Sequence, residues 1–313
     1  MHPTNLSHDF DSISPSAYAL LAMKSLTSIP YAREAAALLP QQEKFTDLSG
    51  LQQVHWNRIL HFENRYWSID QLMGGLAATN ILELSSGFSF RGLALSREQA
   101  VYYIDTDLPA VIAGKQRFVD ALVGAAAADQ QPGQSESDQQ FDAQAGPIVP
   151  PPGHYELQPL NVLDDAAFDA IADRFPAGEL TIVNEGLLMY LDLQEKEQLC
   201  RNIRNILLKR GGCWITADIY IKKLEGEPLD TSDSFQRWTD LHNIERKKFS
   251  DFQTAEDFFS RMGFVIDAEA KPDYSRLTAL EHLRRAAGPE AIDRLRGQRL
   301  KRQHATWRLK LKG

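Results

Sequence analysis

Ile81-Leu82-Glu83-Leu84-Ser85-Ser86-Gly87-Phe88-Ser89-Phe90-Arg91-Gly92 is the stretch whose reading decides the fold. A short apolar run carrying one acid closes on a turn of small residues. Such a turn lets backbone approach a ligand where Cβ atoms would stand in the way. About twenty residues on, Val101-Tyr102-Tyr103-Ile104-Asp105-Thr106-Asp107-Leu108-Pro109 reads as a second buried strand that ends in carboxylates. That spacing suits an α/β sheet holding a ribose hydroxyl at its carboxyl edge. The turn has only Gly87 where dinucleotide-binding folds use several glycines, so the pattern by itself leaves the ligand open.

Working outward, residues 16–25 and 31–39 read as short helices split by Ile29-Pro30, and 56–78 as a longer one. Its Ile59, Phe62, Tyr66, Ile69 and Met73 recur at helical spacing. After the second strand Pro109 opens a helix whose buried face is Val111, Ile112, Lys115, Phe118, Val119, Leu122 and Val123. Residues 128–153 are rich in Gln, Asp, Ser, Gly and Pro, the composition of a flexible insertion. A third strand with its turn (155–164) and a helix (166–174) follow. Leu180-Thr181-Ile182-Val183 is a fourth strand, running into Asn184-Glu185-Gly186-Leu187-Leu188-Met189-Tyr190-Leu191. Asp192 and Glu195 form a capping box for a helix burying Leu199, Ile203, Ile206 and Leu207 and ended by Gly211-Gly212. Cys213 to Asp218 is a fifth strand, residues 219–253 a polar lid insert, and 255–262 a helix before the strand at Gly263-Phe264-Val265-Ile266. The last strand, 306–312, alternates with period two.

Strands alternating with helices specify a sheet covered on both faces. The expectation is one α/β domain over 1–313, a mostly parallel Rossmann-like sheet with an antiparallel end strand. Residues 1–79 would form a helical cap, 80–218 the core with its insertion, 219–253 the lid, and 254–313 the closing core elements.

The bulk properties narrow the class. The chain has 313 residues, 43% of them hydrophobic and 24% charged, as in ordinary globular proteins. No apolar run nears the roughly 18 residues of a membrane span, and no secretory signal is visible at the start. Cys200 and Cys213 form no framework, which suits a reducing cytoplasm and a packing role. The net charge of −8 hides a basic tail with ten Arg or Lys against two acids from Arg284 to Lys312. Without interleaved aromatics that tail reads as solvated surface, so no nucleic-acid partner is expected.

Four elements together resemble the leucine carboxyl methyltransferase family, which includes bacterial tetracenomycin-type polyketide O-methyltransferases. Ile81–Arg91 is similar to its "ELGAGLDTR" turn, Tyr103–Pro109 to "FEVDLP", Glu185–Leu191 to "EGLLMYL", and Arg65–Leu72 to the helix ahead of the first strand. The likeness spans about Ser16 to Leu207 in the same order. It implies a class I methyltransferase sheet, S-adenosylmethionine as cofactor and methyl transfer to an oxygen. Position by position, Arg65 would pair with the cofactor's methionine carboxylate and Asp107 with its ribose, Asp105 being the substitute. Asn161 and Val162 would meet the adenine, and Glu83, Ser85, Gly87 and Glu185 the rest of the cofactor. From the residues alone, Arg65 could equally cover aromatic surface, Asp107 cap a helix and Glu185 pair with a lysine. Ser85 stands where the family has its first glycine, and Ser89 and Phe90 where it has Asp and Thr.

The acceptor is expected to be a small molecule, including polyketide-like ones, met by Tyr18, Tyr31, Arg33 and Tyr190. A carboxylate acceptor needs no general base, being deprotonated at neutral pH, whereas a phenol or alcohol does. No His or Lys stands out for that role, so no catalytic residue is assigned and a carboxylate or acidic phenol is favoured. The eight histidines form no HExxH pair or Cys/His set for a metal. Neither the G-x-S-x-G elbow of a hydrolase nor the G-x-G-x-x-G turn of a nicotinamide enzyme is met. The alternatives are a cofactor-binding protein without turnover and a carboxyl methyltransferase acting on a protein C-terminus.

Overall fold

The computed structural model describes residues 14–40, 53–128, 153–222, 242–286 and 302–313. Three helices, α1 (Ser14–Lys24), α2 (Ala32–Ala37) and α3 (Gln53–Met73), precede the first strand. The chain then alternates through β1 (Asn80–Leu84), α4 (Arg91–Glu98), β2 (Tyr102–Asp107), α5 (Pro109–Ala128), β3 (His154–Pro159) and α6 (Asp165–Ala172). It continues with β4 (Leu180–Asn184), α7 (Leu193–Arg210), β5 (Gly212–Tyr220), α8 (Ile244–Lys247), α9 (Phe252–Arg261), β6 (Phe264–Glu269) and β7 (His304–Leu311).

The strands form one seven-stranded sheet in the order β3-β2-β1-β4-β5-β7-β6. Pairs among β1 to β5 are parallel, and β7 is antiparallel to both β5 and β6. This is the Rossmann-like class I methyltransferase sheet the sequence implied, mostly parallel with one antiparallel strand. That strand ends the chain and not the sheet, for β7 is inserted between β5 and β6 and the edge belongs to β6.

Burial on both faces explains the apolar runs of the inner strands. On one face Leu82, Ile104, Ile182, Trp214 and Leu309 pack with Phe168 of α6, Leu199 and Ile203 of α7, and Phe258 and Phe259 of α9. On the other, Ile81, Tyr103, Val183 and Ile215 pack with Ile69, Leu72 and Met73 of α3. The α7 capping box is present, with Asp192 accepting from the Glu195 amide and Glu195 from the Asp192 amide. Gly212 starts β5 where only glycine fits, since a Cβ there would lie 2.1 Å from the Leu180 carbonyl oxygen.

Several boundaries differ from expectation. α3 stops at Met73 rather than at Ala78, because Gly74-Gly75 follow and glycine is a poor helix former. Val123 was expected on the buried face of α5 but is 43% exposed, one position past the last inward residue, Leu122. α4 is not anticipated from the sequence; its eight residues are too few to show a helical period. Of the insertion at 128–153 and the lid at 219–253, residues 129–152 and 223–241 lie outside the described residues. Among the described residues no helix is long and apolar enough to cross a membrane. Cys200 and Cys213 are both free and buried.

A carboxylate fastens the segment after β6 to the N-terminal helices. Glu63 of α3 is fully buried; its Oε1 accepts from the Thr278 amide at 2.9 Å and its Oε2 from the Ala279 amide at 2.8 Å. Those are the free donors at the start of the helical turns 279–286. Ala279 and Leu283 then pack on Met23, Trp56, Ile59 and Phe62, so the cap core is built from both ends of the chain. Glu63→Ala strands one buried and one part-buried backbone donor and is expected to lower unfolding stability by about 2 kcal/mol. Urea denaturation checks this; an unchanged midpoint would mean that residues 278–286 are not docked on α3 in solution.

Candidate functional site

The carboxyl ends of the parallel strands lie along one edge, and the residues following them appear there in sheet order. Asn161 comes after β3, Asp107 ends β2, the Ser85–Gly87 turn follows β1, Glu185 follows β4, and Asp218 and Tyr220 end β5. The switch point, where the sheet is built outward in both directions, lies between β1 and β4.

At that point the turn after β1 is held by Asp107. Its Oδ2 accepts from the Gly87 amide at 2.8 Å and its Oδ1 from the Leu108 amide at 2.7 Å. It does not act as a helix N-cap, since neither bond reaches an amide of α5. Burial pushes the Asp107 carboxyl up, while those two amides pull it back. Each oxygen keeps a lone pair free for a further donor. Gly87 has φ 49° and nothing within 4 Å of the place a Cβ would occupy, so the turn borders open space. Ser85, in the family's glycine position, has φ 50°, a left-handed conformation that serine adopts at a cost.

Across the switch point Glu185 gathers three cations from three helices. Its Oε1 accepts from Lys24 Nζ at 2.8 Å and from Arg65 Nε and Nη2 at 3.2 and 2.9 Å. Arg91 Nη2 stands 3.5 Å from Oε2. Despite that proximity Oε2 is buried without a hydrogen-bond partner. Burial alone would push the Glu185 carboxyl up; Lys24, Arg65 and Arg91 overcome it and hold the group well below the usual carboxylate range. Arg91 is shared with two more acids, Glu83 at 2.8 Å and Asp70 at 2.8 Å, and lies over the Tyr66 ring.

The loop carrying Glu185 is shaped by Asp218 at the end of β5. Asp218 Oδ1 accepts from the Gly186 amide at 2.6 Å, and Oδ2 from the Leu187 and Leu188 amides and Asn184 Nδ2 at 2.7, 3.1 and 2.6 Å. Four donors on one buried carboxylate leave the loop little freedom. The third arm of Arg65, Nη1, donates to Tyr220 Oη at 2.9 Å, and Tyr220 also bonds His61 Nε2 at 2.8 Å.

The structure therefore brings together Arg65, Ser85, Gly87, Asp107 and Glu185. Arg65 does cover aromatic surface, lying 5.3 Å from the Phe62 ring centroid, but its nitrogens are on Glu185 and Tyr220. Glu83 and Asp105 are register partners on β1 and β2, both buried beneath the edge rather than on it. Glu83 takes Arg91 Nη1 and the Tyr103 hydroxyl, so it anchors α4 to the sheet. Asp105 pairs with Lys115 Nζ at 2.7 Å and the Tyr155 hydroxyl at 2.6 Å, and burial pushes its carboxyl up to about 6 against the pull of Lys115. Asp107 is thus the β2 acid within reach of a ligand. Asn161 is exposed and its Oδ1 accepts from the Leu163 amide. Val162 is buried, its carbonyl held by Asn202 Nδ2.

The expected acceptor residues scatter. Tyr18 packs against Phe88 of the β1 turn, with ring centroids 4.8 Å apart, so it borders the site. Tyr31 turns to Arg97 of α4, and Arg33 is exposed; no hydrogen bond or ion pair links either to the Glu185 cluster. Tyr190 ends a short 3-10 turn, and its carbonyl accepts from Lys247 Nζ. The sequence missed Lys24, Asp218, Tyr220 and His61. Asp218 carries the same signal as Glu185, an acid closing an apolar strand, and Lys24 is a lone cation in an apolar helix.

No family model matches the chain, and no curated protein sequence matches it. Among solved structures, LepI in complex with SAM is 12% identical with a TM-score of 0.41; the match covers 78% of this chain and 46% of LepI. Magnesium protoporphyrin IX methyltransferase from Synechocystis PCC 6803 with bound SAH is 7% identical, covering 84% of this chain and 89% of that one, with a TM-score of 0.43. An O-methyltransferase family protein from Burkholderia thailandensis is 10% identical, covering 97% and 70%, with a TM-score of 0.44. This chain thus spans less than half the length of LepI. It is the strand order and register, and not these likenesses, that fix the fold.

The left-handed φ of Ser85 generates a test. Glycine would relieve about 1 kcal/mol of backbone strain and lose up to about 1 kcal/mol through a freer unfolded chain. Ser85→Gly is therefore expected to leave Tm unchanged or slightly higher in thermal unfolding. A fall of several degrees would show that the serine side chain holds the turn.

Proposed function

We propose that the chain is an S-adenosylmethionine-dependent methyltransferase that places a methyl group on an oxygen of a small molecule. The observation that carries this reading is the buried, unpartnered Oε2 of Glu185, whose other oxygen is held by Lys24 and Arg65. A zwitterionic amino-acid group has one ammonium to give such an oxygen and one carboxylate to set against the cations. The remaining edge residues suit the rest of the molecule. Asp107 has lone pairs for ribose hydroxyls, the open side of Gly87 admits backbone approach, and Asn161 with Val162 stands beyond β3 for the adenine. The donor set thus fits the cofactor.

When bound, the cofactor supplies an electrophilic methyl group on a sulfonium. The protein's part is to hold donor and acceptor in line and exclude water, which accounts for most of the rate in such transfers. The rigid loop fixed by Asp218 keeps Glu185 in place for that alignment. A carboxylate or acidic phenol is the acceptor the reading favours, because neither demands a strong base at neutral pH.

Arg65→Ala is expected to weaken S-adenosylhomocysteine binding by about 2 kcal/mol, roughly thirtyfold, through loss of a charge-assisted partner. Calorimetric titration of the folded variant checks this, with NAD as a ligand expected not to bind wild type. Unchanged affinity together with a lower Tm would reduce Arg65 to a structural residue and remove the cofactor's anchor from this place.

A further inference from the structure

We propose that Lys115 is a positioning residue for the cofactor: from beneath the sheet edge it fixes Ser86, and through Ser86 the β1 turn that the cofactor approaches. The proposal rests on the cofactor reading above and adds to it the side chain that shapes the turn.

Lys115 stands on the inward face of α5, between Val111 and Phe118, and its side chain is fully buried. A lysine is withdrawn from water only where its ammonium finds partners. Here Nζ donates to Asp105 Oδ2 at 2.7 Å and to Ser86 Oγ at 2.9 Å. An apolar side chain at this position could fill the space beside Phe90, whose ring centroid lies 5.9 Å from Nζ. What it could not do is bond the β2 acid and the turn at once.

The turn needs such a hold. Ser85 and Gly87, on either side of Ser86, both have left-handed backbone, with φ 50° and 49°. For the serine that conformation costs about 1 kcal/mol, so it persists where surrounding contacts over-determine it. Ser86 is buried and bonded at three points. Its amide donates to the Thr106 carbonyl at 2.9 Å, its carbonyl accepts from the Ser89 amide at 2.9 Å, and its hydroxyl accepts from Lys115. The Thr106 bond, like that between Gly87 and Asp107, runs to β2, whereas the lysine bond draws the turn against α5.

The ammonium is aimed by Asp105. That carboxylate receives Lys115 and the Tyr155 hydroxyl on the same oxygen, Oδ2, while Oδ1 is buried without a partner. Leaving an acceptor unpaired costs stability, yet it sets Nζ between the acid and the turn. The two acids of β2 thus reach the turn by different routes. Asp107 binds the Gly87 amide directly, and Asp105 acts through Lys115 and Ser86. The side of Gly87 that faces open space is left clear for the ligand, and Lys115 acts on the ligand's place without touching it.

Three measurements test this: calorimetric titration with S-adenosylhomocysteine, thermal unfolding, and hydrogen exchange of the Gly87 amide in the free protein. They are made on wild type, Ser86→Ala, the double variant Asp105→Asn/Lys115→Met, and the triple variant combining all three changes. Ser86→Ala removes only the hydroxyl and leaves the ion pair intact. The double variant removes both charges, so no buried ion is left uncompensated. Ser86→Ala and the double variant should each bind S-adenosylhomocysteine roughly tenfold more weakly, the effect of one lost hydrogen bond. Both should exchange Gly87 faster, and Ser86→Ala should keep a nearly unchanged Tm. The triple variant should bind no more weakly than the double one, because both sets of changes remove the same bond. Wild-type affinity in Ser86→Ala, full additivity in the triple variant, or Gly87 exchange unchanged in both variants would overturn the proposal and reduce Lys115 to a counter-ion for Asp105. If wild type binds no S-adenosylhomocysteine, the cofactor reading falls instead, and the Gly87 exchange rates still decide whether Lys115 holds the turn.

Discussion

Glu185 is the constraint on which the rest depends. One carboxylate at the end of β4 binds Lys24 from α1, Arg65 from α3 and, more loosely, Arg91 from α4. All are withdrawn from water, and their charges balance only as a set, with Glu83 and Asp70 closing the circuit through Arg91. Removing one member of such a buried network is far more costly than a surface pair would suggest, because the others are left uncompensated. The helices before the first strand are thereby tied to the sheet by charge as well as by packing.

A purely apolar interior could be as stable as a buried ion network. This network sits at the switch point and leaves an acceptor atom on Glu185 unpartnered, at the place the proposed reading gives to the cofactor's amino-acid group. The polar groups form two tiers. Beneath the edge, Glu83 with Arg91 and Tyr103, and Asp105 with Lys115 and Tyr155, set the positions of α4 and α5, although Asp105 Oδ1 is itself buried without a partner. At the edge, Asp107 and Glu185 are each held by the protein yet keep capacity for one more partner.

The inner strands were legible because burial on both faces turns them into continuous apolar runs, and the acids closing β2 and β4 stood out against those runs. Which of Asp105 and Asp107 reaches the edge was not legible, since both lie on one strand face and only the position of Lys115 separates them. Lys24 and His61 were missed because their partners lie 161 and 159 residues away, and no local spacing encodes such a pair. The exchange of glycine for Ser85 could be read from the motif, but its positive φ follows from the turn geometry alone. Val123 failed because helical periodicity marks the centre of a buried face better than its margin.

The most direct measurement compares S-adenosylhomocysteine with the same molecule lacking its α-amino group, titrated calorimetrically against the wild-type protein. If Glu185 Oε2 takes the ammonium, the deaminated compound leaves that oxygen unpartnered and should bind about 2 kcal/mol more weakly, roughly thirtyfold. Equal affinity for the two compounds would contradict the account, because the buried network would then hold no part of the cofactor's amino-acid group.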